Sequence, residues 1–157
     1  MAISFESTDN MVKSKGNSVV ATKVFINLPI KDLSRSVRFF SELGFVFDQQ
    51  FTDKNATCMI LNDDTSVMLL VNDFFQTFTN KQIADPNTTS ETIIAISAES
   101  KKAVITLVQK ALDAGAKPHN EPDDQVFMYG WGFEDLDGHL WEVIWMNPAA
   151  AETPPKG

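Results

Sequence analysis

An internal duplication constrains this chain more than any other feature. A strand, a capped helix and a closing hairpin occur once in the first half and again, in the same order, in the second. Self-similarity of this kind decides the architecture before any single residue does. In the first copy Val24, Ile26, Leu28 and Ile30 alternate as in a strand. Asp32 follows at an N-cap position, where its carboxylate can accept a bond from an otherwise unpaired backbone N–H. Leu33, Val37 and Phe40 recur at helical spacing, and Gly44 stands where the helix should end. Residues 56–61 and 66–71 then read as two strands across a tight Asn62-Asp63-Asp64 turn. In the second copy residues 91–98 form the strand and Ser100 caps the helix. Val104, Leu107, Val108, Ala111 and Leu112 make its apolar stripe, Gly115 ends it, and residues 126–133 and 139–146 flank the turn Asp135-Leu136-Asp137-Gly138. Phe25 and Ile93 are 68 residues apart, as are Asp32 and Ser100; matching Val67 to Leu140 on the last strands gives 73.

The expected architecture is therefore α+β, with two tandem β-α-β-β-β modules over residues 22–72 and 91–147, joined by 73–90, in one domain over 22–147. A length of 157 residues suits a single domain. The joining segment carries Phe74, Phe75, Phe78 and Ile83, which predicts a short helix over something apolar rather than a bare linker. Residues 1–21, rich in Ser, Asn, Lys and Gly, read as a flexible extension, and residues 148–157 as a frayed tail. Twelve Phe and three Trp against one Tyr predict a core with much aromatic bulk.

Charge narrows the partners. The formal net charge of −8 argues against nucleic acid, because phosphate contacts need clustered Lys and Arg, and equally against an anionic membrane surface. Cys58 is the only cysteine, so no intrachain disulfide and no multi-cysteine metal site can form. The first twenty residues hold no apolar run of the secretory kind, and no stretch approaches the roughly 18 apolar residues of a membrane helix. A cytoplasmic location is expected.

Strand alternation assigns two faces. In the first strand Val24, Ile26, Leu28 and Ile30 face a helix, while Phe25, Asn27 and Pro29 face away. In the last strand Leu140, Glu142 and Ile144 share one side, so a carboxylate sits between two apolar neighbours; the alternative is a solvent-facing residue on a sheet edge.

The stretch from Val24 to Phe45 resembles the opening of glyoxalase/bleomycin-resistance proteins of the vicinal oxygen chelate superfamily. The stretch from Phe133 to Trp145 resembles their closing signature, in which D-x-D-G precedes a strand carrying a glutamate. The resemblance covers residues 22–147, including the duplication. It implies sheets curled around a cleft, helices outside, and a homodimer. It also implies four metal-ligand positions, which fall here on Phe25, Leu69, Ile93 and Glu142. Three of these are hydrocarbon side chains, whereas a divalent ion needs several N, O or S donors; a divalent metal is disfavoured and no cofactor is assigned. His139, three residues before Glu142, should point to the opposite face. His119 reads as a solvated or hydrogen-bonded loop histidine.

In the last hairpin Phe127, Tyr129, Trp131 and Phe133 are assigned to the helix side. Met128, Gly130 and Gly132 go to the cleft, where glycine leaves room. By repeat, Thr57 and Met59 join them. The expected ligand-binding surface is thus Phe25, Asn27, Thr57, Met59, Leu69, Ile93, Met128 and Glu142, an apolar pocket with few polar groups; the alternative is that these side chains simply fill the cleft. The expected function is binding of a small organic molecule, with the net negative charge favouring a cationic one. A second reading is a lyase or isomerase of the lactoylglutathione lyase type, with Glu142 as metal ligand or as a catalytic base whose pKa its apolar neighbours raise. A metal-dependent dioxygenase ranks last, because it needs two histidines and a carboxylate in one cluster.

Overall fold

A computed structural model describes residues 21–151 of the chain. The expected extension, apart from Ala21, and residues 152–157 of the expected tail lie outside that span. The first module comprises β1 (Val24–Ile30), α1 (Leu33–Glu42), β2 (Val46–Asp48), a short tight helical turn (Gln49–Phe51), β3 (Ala56–Asn62) and β4 (Thr65–Val71). Helix α2 (Asn72–Gln76) begins the joining segment. The second module comprises β5 (Ile93–Ser97), α3 (Lys101–Asp113), β6 (Lys117–Pro118), β7 (Asp123–Asp124), β8 (Met128–Glu134) and β9 (Leu140–Met146). Helix α4 (Pro148–Ala151) follows, so the tail begins as a helical turn, with Asn147 Oδ1 accepting the Ala149 N–H at 3.1 Å.

Each module makes one mixed sheet, ordered β1-β4-β3-β2 in the first and β5-β9-β8-β6 in the second, with β7 also paired to β8. Neither sheet closes. In both, the first strand lies parallel to the last, and the last two strands are antiparallel. The fold is α+β and duplicated, as the repeat implies. Strands β2, β6 and β7 are only two or three residues long, too short to show a periodic pattern.

The helices start and stop where their chemistry dictates. Asp32 accepts the Arg35 N–H at 2.9 Å and Ser100 the Ala103 N–H at 3.0 Å, each satisfying an N-terminal donor. Gly44 and Gly115 follow the helices with φ of 102° and 107°, in the left-handed region that disfavours a side chain. Both helices cover the same kind of face. Val104, Val108 and Ala111 of α3 join Tyr129, Phe133, Trp141 and Val143 in one buried cluster, which also takes in Leu28, Ile30, Phe39 and Phe40 of the first module. Phe40 lies 5.4 Å from Trp141, and Phe39 lies 6.2 Å from Phe133, centroid to centroid. The two modules therefore share a single aromatic core. Of the four aromatics expected on the helix side, Tyr129 and Phe133 are buried and Trp131 packs against the cluster, whereas Phe127 precedes β8 and is 49% exposed.

The turn between β8 and β9 clamps the modules together with two buried carboxylates. Asp135 accepts the backbone N–H groups of Asp137 and His139, each at 3.0 Å, and the Trp141 indole N–H at 3.0 Å. Asp137 reaches the other module: Oδ1 accepts the Lys31 N–H at 2.9 Å and Arg35 Nη2 at 3.2 Å, and Oδ2 accepts the Ser36 hydroxyl at 3.2 Å. His139 Nε2 donates to the Pro29 carbonyl at 2.7 Å. No helix among the described residues is long and apolar enough to cross a membrane.

Burial pushes the Asp135 carboxyl above its ordinary value of 3.8, against the opposing pull of His139 and the indole and backbone donors. A carboxyl raised on folding stabilises most when protonated, so its contribution is complete below the ordinary value and is lost as pH climbs through the raised one. We expect the stability of the unaltered chain, relative to Asp135→Asn, to fall as pH rises across that window. Urea unfolding of both proteins from about pH 3.5 upward measures this, and a difference that is flat or grows with pH contradicts it.

Candidate functional site

With the helices on one side, each sheet keeps an open face. Across β5, β9 and β8 the paired residues run Ile93–Leu140–Glu134, then Ala95–Glu142–Gly132, then Ser97–Ile144–Gly130, with Met128 opposite Met146. Trp141 and Val143 are fully buried on the helix side, so alternation turns Glu142 to the open face. Ile93, Met128 and Glu142 thus occupy the face expected of them. Phe25 and Asn27 do so on β1, where Phe25 is 55% exposed.

The first sheet requires a correction. Thr57, Met59 and Leu69 were expected on the open face, yet all three are fully buried. Register explains it. Leu28 pairs with Leu69 and Leu69 with Thr57, while Ile26 pairs with Val67 and Val67 with Met59. Cross-strand partners share a face, so these residues lie under helix α1 with Leu28. The opposite face carries Asn27–Met68–Cys58 instead, with Cys58 buried there as well. Asn27 corresponds to Ala95, so the counterpart of Glu142 is Met68, at an offset of 74 rather than 73. A one-residue slip on a strand moves every side chain to the other side.

The corrected set still does not suit a hard divalent ion. Phe25, Met68 and Ile93 supply two hydrocarbons and a thioether beside one carboxylate, whereas such ions take oxygen and imidazole donors. Among the described residues no three His, Cys, Asp or Glu side chains cluster to hold a metal ion.

The structure assembles a different group around Glu142. The loop between β6 and β7 crosses the edge of β8 and sets His119 Nε2 3.7 Å from Glu142 Oε1. Asn120 Nδ2 donates to the same oxygen at 2.9 Å. Asn120 is itself tied down, with Oδ1 accepting the Gly132 N–H at 2.9 Å and its carbonyl accepting the Trp131 indole at 3.1 Å. Glu142 is 17% exposed and His119 26%. Glu142 Oε2 has no hydrogen-bond partner among the described residues. Asn120 escaped the sequence reading because a loop residue carries no periodicity; the only hint was the glycine at 132, which leaves room for it. His119 proves to be a neighbour of Glu142. His139 does not: it holds Pro29, in keeping with its expected opposite orientation.

A separate cavity of about 670 Å³ lies between β1, the joining segment and the start of β9, lined by Asn27, Pro29, Phe75, Ile83, His139 and Leu140 among others. Of the residues expected to bind ligand, it includes Asn27 and not Glu142.

Comparison with known proteins agrees with this architecture. The family model described as Glyoxalase/Bleomycin resistance protein/Dioxygenase superfamily matches residues 23–143. No curated protein matches the chain. Among solved structures, a hypothetical protein from S. aureus is 28% identical, with 82% of this chain and 95% of that one covered and a TM-score of 0.69. A glyoxalase-related enzyme from Fulvimarina pelagi is 21% identical over 82% and 90% of the two chains, with a TM-score of 0.70. A fosfomycin resistance protein from Mesorhizobium loti is 13% identical over 86% and 98%, with a TM-score of 0.57. The last two show likeness of fold.

Gly132 is the tightest point of the site. A Cβ there would stand 2.7 Å from the Trp141 carbonyl oxygen and 3.1 Å from Glu142 Oε1, and the first neighbour is backbone that cannot swing aside. Gly132→Ala is expected to cost about 1–3 kcal/mol of stability, read from denaturant midpoints. A midpoint equal to that of the unaltered chain refutes so close an approach.

Proposed function

We propose that this chain, which belongs to the Glyoxalase/Bleomycin resistance protein/Dioxygenase superfamily, binds a small organic molecule on the open face of its second sheet, with Glu142 as the polar anchor and no metal. One observation carries this reading: a carboxylate only 17% exposed stands mid-face beside Ala95, Ile144, Gly130 and Gly132, with Ser97 and Glu134 as the other polar side chains of the three strands' open face. Acids rarely sit so deep unless their oxygens are met; Asn120 and His119 meet Oε1, which leaves Oε2 for a ligand. The net charge of −8 raises the local concentration of cations. The ligand class that fits best is therefore a cation with an apolar or aromatic body.

A screen of aromatic and aliphatic amines by thermal shift, followed by calorimetry, tests this. Glu142→Gln is expected to weaken the best binder by roughly tenfold to a hundredfold, the value of a hydrogen bond to a charged group, and a chelator to leave its affinity unchanged. Binding that ignores Glu142→Gln, or that a chelator abolishes, removes the proposal. One observation favours an isomerase that uses Glu142 as general base: His119 stands beside it, so a proton acceptor and a proton donor share the face. Turnover of methylglyoxal with glutathione by chelator-treated protein supports that reading in place of simple binding.

The same reading includes a homodimer. Phe25 and Ile93, 55% and 43% exposed on the open faces, are large apolar side chains that a second copy would cover. Light scattering is expected to give twice the 17.5 kDa of one chain; the mass of a single chain at working concentration contradicts it.

A further inference from the structure

We propose that Asn120 sets the ligand specificity of Glu142, making the site favour a ligand that presents one cationic N–H donor, an alkylammonium, over a forked amidinium or guanidinium. This rests on the reading that Glu142 anchors a cation.

A carboxylate receives a forked cation only if both oxygens are open on the same side, because two parallel N–H···O bonds form together. Glu142 does not offer two open oxygens. Oε1 accepts Asn120 Nδ2 at 2.9 Å, has His119 Nε2 at 3.7 Å, and lies so near Gly132 that even a methyl there would come within 3.1 Å. Oε2 carries no such burden among the described residues. An arriving cation therefore meets one oxygen. A primary ammonium is a compact point charge with three rotatable donors and loses nothing by meeting a single acceptor. An amidinium or guanidinium holds its donors in a rigid plane, and its second N–H either faces the crowded oxygen or displaces Asn120.

Asn120 is not easily displaced. Its side-chain oxygen accepts the Gly132 N–H at 2.9 Å, and its main-chain carbonyl accepts the Trp131 indole at 3.1 Å. The amide thus has one orientation: the oxygen is held by a backbone N–H, which leaves the NH2 to face Glu142. The Trp131 contact uses the main chain, so the loop keeps that anchor whatever side chain stands at position 120. Asn120 acts on the ligand through Glu142, as a positioning residue.

Benzylammonium and benzamidinium carry the same aromatic body and differ in the head, which makes them a matched pair of probes. Their dissociation constants are measured by calorimetry on the full chain, on Asn120→Ala, on Asn120→Ser and on Glu142→Gln, with the Trp131 indole N–H resonance reporting whether the loop stays seated. The unaltered chain is expected to bind benzylammonium several-fold tighter. Both Asn120 variants are expected to shift the affinity ratio toward benzamidinium by about tenfold, roughly what one regained charge-assisted bond is worth, with the Trp131 resonance in place. A purely structural role for Asn120 would weaken both probes alike and leave the ratio where it was. Preference of the unaltered chain for benzamidinium, or a ratio unmoved in both variants while Glu142→Gln abolishes binding, overturns the inference and leaves the binding reading standing. Failure of benzylammonium to bind, or binding that survives Glu142→Gln, overturns the binding reading and the inference with it.

Discussion

The β8–β9 turn holds this molecule together by an interaction that is expensive unless complete. Asp135 and Asp137 are each 5% exposed, and a buried carboxylate is tolerated only when its oxygens are satisfied. Asp135 is met within its own turn and by Trp141, while Asp137 is met by Lys31, Arg35 and Ser36 of the other module. No buried side-chain polar atom among the described residues lacks a partner. The Asp137 carboxylate takes its donors from the first module, and His139 reaches Pro29 there, so docking the modules is what satisfies this buried charge. The shared aromatic cluster adds packing to that clamp, with Phe40 against Trp141 and Phe133 stacked nearly parallel to Trp141.

The clamp also decides the site. Trp141 is held on the core side by its indole bond to Asp135 and by the Phe40 ring, and residues alternate along β9. Glu142, one residue on, must therefore stand on the open face. Its surroundings come from elsewhere in the chain: a glycine on β8 gives it room, and the β6–β7 loop brings Asn120 and His119. The anchor is built on a strand and tuned by a loop, a division of labour common where rigid elements carry variable chemistry.

The duplication makes the asymmetry between modules visible. Both keep a parallel first and last strand, a capped helix and a glycine stop. At matched positions one face carries Glu142, with His119 and Asn120 brought to it by a loop, and the other carries Met68. The scaffold is repeated and the chemistry is not, which is why membership of a family that spans several activities leaves the activity to be argued from the site.

How much of this the sequence carried depends on the range of the physics. Periodicity in Val24–Ile30 and Val104–Leu112, the caps Asp32 and Ser100, and the stops Gly44 and Gly115 are local, so the modules and their order could be read directly. Phe25, Asn27, Met128 and Glu142 were placed on the open face by alternation within single strands, and Ile93 by its repeat pairing with Phe25. Leu69 was misplaced because its face depends on the register of β4 against β1, and Thr57 and Met59 because theirs follows from the pairing of β3 with β4, which is set between strands. Asn120 and His119 depend on where a loop crosses a sheet edge, and the sharing of one core between modules depends on Asp137 meeting Lys31 and Arg35 more than a hundred residues away. The sequence by itself determined the elements, their repetition and the presence of one strand carboxylate, because those follow from interactions between near neighbours. Only the tertiary structure decided which side chains surround that carboxylate, because those neighbours are chosen by register and by loop paths that no local pattern records.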